Sequence, residues 1–392
     1  MNNHWNYFSN KKHISFGQGS LDNLPSLAAN VLAHHRVKRQ NRILLVTAPC
    51  FTDMGVTDRV RLLLDTKRLQ ILDNVQPNPE LSYIESTVKE LLDQNIGIVI
   101  GLGGGSTIDT AKALSFVLSS GDQMSLRSHF EAGIDLPQVQ PFPVIAIPTT
   151  AGTGSEVTPF ATIWDRECVS KYSLASSSLC PQIALLDPEL TLSLPENMTV
   201  SSGLDALSQG LEAIWNRNAT PITTLYALRA IKIVLDTLPR LVTSLNIIAD
   251  RTRMLEASLL SGLAISTTRT ALAHSISYPI TARYGVPHGL ACSFTLPALL
   301  EFNSSADDGR LKEIARQLGS DSVHGLVDRL AKFLASLGTH ARLRQYIHRI
   351  DDLIDLAPRM LTPGRADNNL HTADIVDVIE ILKTAGEQVW ID

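Results

Sequence analysis

The feature that most constrains the fold is a change of pattern near residue 190 of this 392-residue chain. Before it, short β-rich runs alternate with helical runs, as in "RILLVT" (42–47), "SYIESTVKELLDQ" (82–94) and "IGIVIGL" (96–102). Alternation of this kind predicts an α/β domain built on a mostly parallel sheet. After it the runs are long and helical, as in "TTLYALRAIKIVLDTLPRLV" (223–242). We therefore expect an α/β domain over residues 1–189, an all-helical domain over residues 190–392, and a ligand site in a cleft between them.

Composition and charge exclude several classes of function. The chain has 34 Lys and Arg against 39 Asp and Glu, a net charge of −5, and no basic cluster that would follow a nucleic-acid backbone. No apolar run reaches about 18 residues, and the N-terminal sequence has no signal-peptide pattern. We expect a cytoplasmic protein with no nucleic-acid or membrane partner. The cysteines show no CxxC spacing and predict neither a disulfide framework nor a thiolate zinc site; they are Cys50, Cys168, Cys180 and Cys292.

Two glycine-rich loops follow neighbouring predicted strands. In "IGLGGGSTIDTAK" a strand ends in three glycines and leads directly into a helix, so backbone N–H groups and the helix N-terminus can approach a phosphate. The second loop is "PTTAGTGSEVTP" (148–159), which is crowded with hydroxyls and glycines. A single such turn is as consistent with a tight connection as with a binding loop. Two of them at the same edge of a parallel sheet predict nucleotide binding.

Polar residues in the helical half suggest a second site. In "GLDALSQGLEA" (203–213), Asp205 and Gln209 are four residues apart on one helix face, with Glu212 one turn further on. His274 and His288 follow, fourteen residues apart. Two imidazoles and a carboxylate suit a divalent ion, but a solvated helix face with hydrogen-bonded core histidines would give the same pattern. These spacings alone leave both interpretations open.

Taken in order, these stretches resemble the iron-containing (type III) alcohol dehydrogenase family over nearly the whole chain. The matching blocks are "FGQGSLDNL", "VQPNPEL", "GGGSTIDTAKA", "PTTAGTGSEVTPFATI", "DPELTLSLP", "GLDALSQGLEA" and "HSISYPITARYGVPHG". The resemblance implies a dehydroquinate synthase-like fold, with a Rossmann-like dinucleotide-binding domain, a helical metal-binding domain and one divalent metal. It also implies a homodimer or a larger homo-oligomer.

The resemblance implies a metal site that departs from the family at one place. The family's ligands are an Asp and three His; Asp205, His274 and His288 match the Asp and two of the His, and Gln209 stands in place of the third. We expect Asp205, Gln209, His274 and His288 to hold Fe²⁺ or Zn²⁺, with Gln209 as a weaker, neutral ligand. The alternative is a lost site, as in the metal-independent maleylacetate reductase branch.

The cofactor site implied by the resemblance takes NADP or NAD. Its expected residues are Ala48, Gly103, Gly104, Gly105, Ser106, Asp109, Thr149, Thr150, Thr153 and Ser155. Members that prefer NAD often carry an Asp where Ala48 stands, and its absence favours NADP slightly because no carboxylate repels a 2′-phosphate. Tyr278 stands where many members carry a histidine for proton transfer, so we expect Tyr278 and His274 to be catalytic. The alternative for Tyr278 is that it packs as a helical aromatic.

The expected reaction is reversible hydride transfer between a nicotinamide and a small aldehyde or alcohol. "DALSQ" and "SYPIT" resemble a subgroup that contains phosphonoacetaldehyde reductases, which form 2-hydroxyethylphosphonate. Lys171, Arg269 and Arg365 are candidate partners for a phosphonate, although each is equally consistent with a surface charge. Two alternatives are a dehydroquinate synthase-like lyase and a nucleotide-binding protein that has lost its metal and its catalysis.

Overall fold

The structure, a computed structural model, describes residues 13–35, 41–64, 67–121, 125–165 and 170–390. The chain divides into two compact units. The α/β unit runs up to Thr150 and resumes over Ser155–Thr191, and the helical unit comprises Ala151–Gly154 and the chain from Leu192 onward. The short segment Ala151–Gly154 therefore packs with the helical unit, although the sequence placed it inside a domain over residues 1–189.

A six-stranded parallel sheet forms the centre of the α/β unit, as predicted. Its order is β1-β8-β5-β4-β2-β3, and every neighbouring pair is parallel. The eight strands of the described residues are β1 (His13–Phe16), β2 (Arg42–Thr47), β3 (Leu69–Leu72), β4 (Ile96–Gly103), β5 (Val144–Pro148), β6 (Phe160–Asp165), β7 (Ser170–Ala175) and β8 (Ile183–Leu186). The central strands read as continuous aliphatic runs because helices cover both faces of a parallel sheet.

The two faces of the sheet bury two separate cores. Along β2, Leu44 and Val46 belong to one hydrophobic cluster, whereas Ile43 and Leu45 belong to the other. This alternation follows from the two-residue period of a strand. The helices of this unit within the described residues are α1 (Leu24–His34), α2 (Pro49–Asp53), α3 (Val56–Leu63), α4 (Leu81–Leu91), α5 (Gly105–Ser120) and α6 (Leu126–Ala132).

A hairpin of β6 and β7 lies outside the main sheet. The two strands are antiparallel, with Phe160 opposite Ala175 and Asp165 opposite Ser170. No strand is predicted from the sequence for these residues. Along β6, fully buried positions alternate with partly buried ones, so the strand lacks the continuous aliphatic run that revealed β4.

The second unit is all-helical, which confirms the predicted fold class. Its helices within the described residues are α7 (Glu196–Ile214), α8 (Pro221–Thr243), α9 (Ile248–Thr268), α10 (Leu272–Tyr284), α11 (His288–Ser293), α12 (Leu296–Ser304), α13 (Arg310–Gln317), α14 (Val323–Ser336), α15 (Thr339–Arg344), α16 (Asp351–Ile354) and α17 (Ile375–Trp390). Helix α7 lies among α8, α9 and α11 and is buried on every side from Gly203 to Ile214. None of the helices in the described residues is long and apolar enough to cross a lipid bilayer.

Candidate metal centre and nucleotide-binding loops

A close approach of α11 to α7 positions the candidate metal ligands. A Cβ atom on Gly289 would lie 1.8 Å from the carbonyl oxygen of Ser201 and 2.8 Å from the backbone nitrogen of Asp205. Only glycine can occupy this position at the observed separation, because real Cβ atoms do not approach backbone atoms so closely. The contact brings His288, the residue before Gly289, beside Asp205 of α7.

Four side chains converge at this contact. The potential ligand atoms of Asp205, His274, His288 and Cys292 all lie within 4.8 Å of one another. Nε2 of His274 is 3.3 Å from Oδ1 of Asp205, and Sγ of Cys292 is 3.7 Å from Nε2 of His288. Asp205, His274 and Cys292 are buried, and His288 is partly exposed. The donor set and its compactness fit a divalent cation.

Glu212 fixes the orientation of His274. Its Oε2 lies 2.5 Å from Nδ1 of the His274 ring, and its Oε1 accepts a hydrogen bond from the His274 backbone nitrogen at 3.0 Å. Both interactions are buried, and they leave Nε2 directed toward Asp205. A carboxylate behind a histidine in this way sets the tautomer and raises the basicity of the ligating nitrogen.

The electrostatics of the cluster favour positive charge at its centre. Burial by itself lowers the pKa of His274, but Cys292 and the carboxylates of Glu212 and Asp205 raise the pKa of this imidazole well above its ordinary value. Burial raises the pKa of the Cys292 thiol, and His274 partly opposes that effect. The surroundings thus stabilise a buried cation, which is the property a divalent metal site requires.

Gln209 is held by hydrogen bonds at both ends of its amide. Oε1 accepts from the Ser261 hydroxyl at 3.1 Å, and Nε2 donates to the carbonyl oxygen of Thr153 at 3.3 Å. The segment that carries Thr153 packs tightly on the helices, since a Cβ on Gly152 would lie 2.6 Å from the Ser202 carbonyl oxygen. Gln209 therefore connects α7 to α9 and to this loop. Its role as a metal ligand stays a prediction.

Tyr278 lies in the same cluster as the histidines. Its ring stacks on that of His288, with centroids 6.1 Å apart and planes 18° apart. The His274 and His288 rings are 5.3 Å apart in an edge-to-face arrangement. Tyr278 is partly buried, one helical turn after His274 on α10. This position is compatible with proton transfer, which stays a prediction.

The predicted phosphate-binding turn joins β4 to α5. A Cβ on Gly103 would lie 2.5 Å from Oγ1 of Thr107, and one on Gly104 would lie 3.3 Å from Cγ2 of Thr150. No side chain of the described residues caps the N-terminus of α5, which begins at Gly105. Its first N–H groups are therefore available to an anionic ligand.

A buried hydroxyl next to this turn has the character of a ligand contact. The backbone nitrogen of Thr149 donates to the carbonyl oxygen of Gly103 at 3.0 Å. Its Oγ1 is buried and has no hydrogen-bond partner among the described residues. Buried polar atoms are nearly always paired, so an unpaired one beside a glycine-rich turn fits a site that is completed by a bound molecule.

The other predicted cofactor residues have different local roles. Asp109 accepts from the Ser155 hydroxyl at 2.5 Å and from the Thr162 backbone nitrogen at 2.8 Å. The Ser106 hydroxyl accepts from the Asn78 backbone nitrogen at 3.1 Å. Asp109 and Ser155 thus connect α5 to the segment after β5, and their contact with a cofactor stays a prediction.

Ala48 and the two glycine-rich loops share one edge of the sheet. Ala48 directly follows β2, Gly103 ends β4 and Thr149 follows β5, and these three strands are neighbours. Because the strands are parallel, their carboxyl ends lie at the same edge, where nucleotides bind in open α/β folds. Thr153, by contrast, belongs to the helical unit.

Two of the three candidate phosphonate partners lie near each other. Burial lowers the pKa of Arg269, and the positive charge of Arg365 lowers it further. Arg269 directly follows α9 with φ of 62°, five residues before His274. Lys171 lies in the α/β unit, with its Nζ 5.4 Å from the centre of the Trp164 ring.

The loop that carries Arg365 is fastened to α10. The Ser275 hydroxyl donates to the carbonyl oxygen of Met360 at 2.6 Å, and the Thr362 backbone nitrogen donates to the same hydroxyl at 2.8 Å. Ser275 is the residue after His274. Both arginines thus lie in segments that adjoin the beginning of α10, the helix that contains His274.

Comparison with known proteins identifies the family. The family model "Iron-containing alcohol dehydrogenase" matches residues 11–188, and "Fe-containing alcohol dehydrogenase family, C-terminal" matches residues 199–386. The NAD-dependent methanol dehydrogenase of Bacillus methanolicus is 30% identical over 88% of this chain and 92% of that protein. The chain belongs to the iron-containing alcohol dehydrogenase family.

Two relatives of this chain carry more specific names. The phosphonoacetaldehyde reductase of Streptomyces viridochromogenes is 34% identical over 82% of this chain and 81% of that protein. The crystal structure of sulfoacetaldehyde reductase from Bifidobacterium kashiwanohense in complex with NAD⁺ matches with a TM-score of 0.86 and 30% identity. That match covers 99% of this chain and 100% of the other. The chain is therefore an oxidoreductase of the alcohol dehydrogenase or aldehyde reductase type.

Sequence reasoning misses two residues at the candidate metal centre. From the sequence alone, Glu212 is only part of a polar helix face, and the cysteines, Cys292 included, lack metal-binding spacing. A usable indication existed for each. Glu212 lies seven residues after Asp205, and Cys292 lies four after His288, which places each pair on one helix face.

Proposed function

We propose that this enzyme is a metal-dependent, NAD(P)H-linked reductase of a small aldehyde that carries a phosphonate or a similar oxyanion. Hydride passes from C4 of the reduced nicotinamide to the carbonyl carbon, and a proton completes the primary alcohol. The observation that carries the proposal is the compact cluster of Asp205, His274 and His288, with the Glu212 carboxylate on the Nδ1 side of the His274 ring. The reaction is reversible, so the enzyme also oxidises the alcohol with NAD(P)⁺.

The helical unit supplies the metal site in this proposal. Asp205, His274 and His288 hold Fe²⁺ or Zn²⁺, and Glu212 keeps the His274 ring in place. When bound, the ion supplies Lewis acidity that stabilises negative charge developing on the aldehyde oxygen. The competing possibility is catalysis without metal; turnover measured before and after removal of the metal distinguishes the two.

Tyr278 is the proposed proton donor. The Tyr278 ring stacks on the ring of His288, so the Tyr278 side chain contacts one of the proposed metal ligands. A phenol can donate one proton to the alkoxide oxygen of the nascent alcohol. Replacement by Phe keeps the ring and removes the proton. We expect Tyr278→Phe to lower kcat about 100-fold and to change its pH profile; an unchanged kcat and profile would assign Tyr278 to packing.

The α/β unit supplies the cofactor site. The uncapped N-terminus of α5 and the Thr149 hydroxyl would receive the pyrophosphate, and Ala48 directly after β2 places no carboxylate there that would repel a 2′-phosphate. We expect kcat/KM for NADPH to exceed that for NADH modestly. In Ala48→Asp the introduced carboxylate should reverse this preference, because it repels the phosphate and accepts hydrogen bonds from a ribose diol.

The arginine pair is the proposed binding site for the oxyanion of the substrate. Arg269 and Arg365 provide two positive charges in segments that adjoin the helix that carries His274: Arg269 precedes α10 by three residues, and the segment before Arg365 is hydrogen-bonded to Ser275. Guanidinium groups bind tetrahedral oxyanions with paired hydrogen bonds. The relatives named as phosphonoacetaldehyde and sulfoacetaldehyde reductases act on two-carbon aldehydes of this chemical kind.

The test of the substrate class compares three aldehydes with NADPH: phosphonoacetaldehyde, sulfoacetaldehyde and uncharged propionaldehyde. We expect kcat/KM for phosphonoacetaldehyde to be highest, and expect Arg269→Met and Arg365→Met to reduce it at least tenfold while leaving propionaldehyde nearly unchanged. Equal losses for charged and uncharged aldehydes in both variants would refute an oxyanion site. A cytoplasmic location and assembly as a homodimer or larger homo-oligomer are further parts of this proposal.

A further inference from the structure

We propose that the Cys292 thiolate is the fourth protein ligand of the metal, taking the place that a third histidine would occupy. This inference rests on the proposed function only in requiring that the enzyme bind a divalent cation. It changes the ligand set to one carboxylate, two imidazoles and one thiolate. It also makes Gln209 a structural residue rather than a ligand.

The geometry of α11 carries the inference. His288 and Cys292 are four residues apart on this helix, so their side chains lie on the same face. Sγ of Cys292 is 3.8 Å from Nδ1 and 3.7 Å from Nε2 of His288. It also lies within 4.8 Å of the ligand atoms of Asp205 and His274. Gly289 allows the close approach of α11 to α7, which keeps the backbone of Cys292 near the elements that carry the other donors.

The surroundings of Gln209 support the same conclusion. Its amide oxygen accepts from Ser261, and its amide nitrogen donates to the Thr153 carbonyl oxygen. Turning the amide oxygen toward a metal would break its hydrogen bond with the Ser261 hydroxyl, which also lies 3.0 Å from the carbonyl oxygen of Ser258. Cys292 is fully buried and forms no disulfide, so its thiol can become a ligand without breaking any covalent bond.

Metal binding by this donor set requires only the loss of one proton from the Cys292 thiol. When the ion binds, the Cys292 thiol loses its proton to solvent and the sulfur lone pair forms the bond to the metal, with no change in oxidation state. Thiolate, imidazole and carboxylate ligands together are found in zinc sites, and soft sulfur favours Zn²⁺ over harder ions such as Mg²⁺. The replacement of a histidine by Gln209 is thereby compensated within the same cluster.

Cobalt substitution tests the ligand set directly. The full-length enzyme is freed of metal with a chelator and titrated with Co²⁺, whose bond to a thiolate gives a charge-transfer band in the near ultraviolet. We expect the wild-type band to saturate at one Co²⁺ per chain. Cys292→Ser should lose the band and bind Co²⁺ at least tenfold more weakly. Gln209→Met and the buried-cysteine control Cys180→Ser should keep it.

Two outcomes overturn the inference. One is stoichiometric Co²⁺ binding by the wild-type enzyme without a charge-transfer band, and the other is a band that persists in Cys292→Ser. If Cys292→Ser does not fold, X-ray absorption of the zinc-loaded wild-type enzyme decides, because a thiolate ligand gives one sulfur neighbour at about 2.3 Å and its absence gives only nitrogen and oxygen.

Co²⁺ binding and aldehyde reduction, measured on the same enzyme, test the Cys292 assignment separately from the proposed function. An enzyme that binds Co²⁺ without sulfur and still requires metal to reduce aldehydes overturns only the Cys292 assignment. An enzyme that binds no Co²⁺ and still reduces aldehydes overturns both the assignment and the metal requirement. An enzyme with the sulfur-bound ion but no activity on any aldehyde supports the ligand set and contradicts the proposed reaction.

Discussion

Oε2 of Glu212 lies 2.5 Å from Nδ1 of His274, and both side chains are buried. The pair spans two helices: Glu212 is on α7 and His274 is in the first turn of α10. The Glu212 carboxylate is bidentate, because its Oε1 also accepts a hydrogen bond from the His274 backbone nitrogen at 3.0 Å. The orientation of the His274 ring is thus determined by a carboxylate that does not itself belong to the donor cluster.

Replacing Glu212 with Gln should weaken metal binding without removing a ligand. The neutral amide of Gln places no negative charge beside the His274 ring. Loss of a carboxylate partner of this kind typically reduces metal affinity about 10- to 100-fold. Competition with a chromogenic chelator measures the change. The control is Glu256→Gln on α9, whose carboxylate pairs with Arg229 at the surface at 3.1 Å; its affinity should equal that of wild type. Equal affinities for both variants would contradict the positioning role.

Gly289→Ala should disrupt the contact between α7 and α11. Its Cβ would lie 1.8 Å from the Ser201 carbonyl oxygen, so the helices must separate. We expect a loss of about 1–3 kcal/mol or more in the free energy of unfolding, together with weaker metal binding. Gly325→Ala on α14 is the matched control, because the nearest atom to its Cβ is 3.4 Å away. That variant should be neutral or slightly stabilising by chemical denaturation.

Thr149→Val should separate cofactor binding from stability. The Thr149 hydroxyl is buried without a hydrogen-bond partner in the described residues, so its removal leaves the unfolding free energy unchanged or slightly raised. If that hydroxyl contacts the cofactor, the Kd for NADPH measured by fluorescence should rise about fivefold or more. Thr295→Val removes a similarly unpaired hydroxyl from the helical unit and should leave the Kd unchanged. An unchanged Kd in Thr149→Val would remove this residue from the cofactor site.

The C-terminal end of α7 should show a pH-dependent contribution to stability. Arg310 donates to the carbonyl oxygens of Ile214 and Asn216 at 3.2 and 2.8 Å, and its hydrogen bond to Asp308 lowers the pKa of that carboxyl. Because the folded pKa is lowered, this pairing stabilises the protein above the unfolded pKa of about 3.8, and the stabilisation is lost as pH falls through the folded value.

Thermal unfolding of Arg310→Met tests this expectation. The variant should have a lower Tm than wild type at neutral pH, and the difference should narrow below about pH 4 as Asp308 becomes protonated. The difference in Tm should not vanish, since the hydrogen bonds from Arg310 to the carbonyl oxygens of Ile214 and Asn216 do not depend on the protonation of Asp308. Arg316→Met, whose partner Glu313 is on the exposed surface of α13, should change Tm much less. A constant difference at every pH would show that the ion pair contributes nothing.

Much of the α/β unit could be predicted from sequence because its strands are buried aliphatic runs. The bounds predicted for β2, residues 42–47, are those observed, and β4 extends the predicted 96–102 by one residue. The β6 and β7 hairpin was missed, because its partly exposed positions interrupt any hydrophobic run. Strand periodicity is therefore informative for the two-sided sheet and weak for the peripheral hairpin.

Only part of the candidate site in the helical unit could be predicted from the sequence, because burial is a property of tertiary packing. Asp205, Gln209 and Glu212 have the spacing of a solvated helix face, yet their exposed fractions are 4%, 3% and 0%. Nothing in the local sequence shows that other helices cover this face. Gln209 contacts Ser261 of α9 and Glu212 contacts His274 of α10. Gly289 of α11 approaches Asp205 from more than 80 residues further along the chain. The family resemblance predicted Asp205, His274 and His288 as ligands. The position of Cys292 beside them could be seen only from the arrangement of α11 in the structure.

The most direct test of the central claim measures metal content and aldehyde reduction in the same preparations. Enzyme purified without chelator is assayed with NADPH and phosphonoacetaldehyde, stripped of metal, assayed again, and reconstituted with Zn²⁺ or Fe²⁺. We predict about one metal per chain at the start, loss of at least 99% of turnover on stripping, and recovery on reconstitution. Undiminished turnover in a preparation shown to be free of metal would contradict the account.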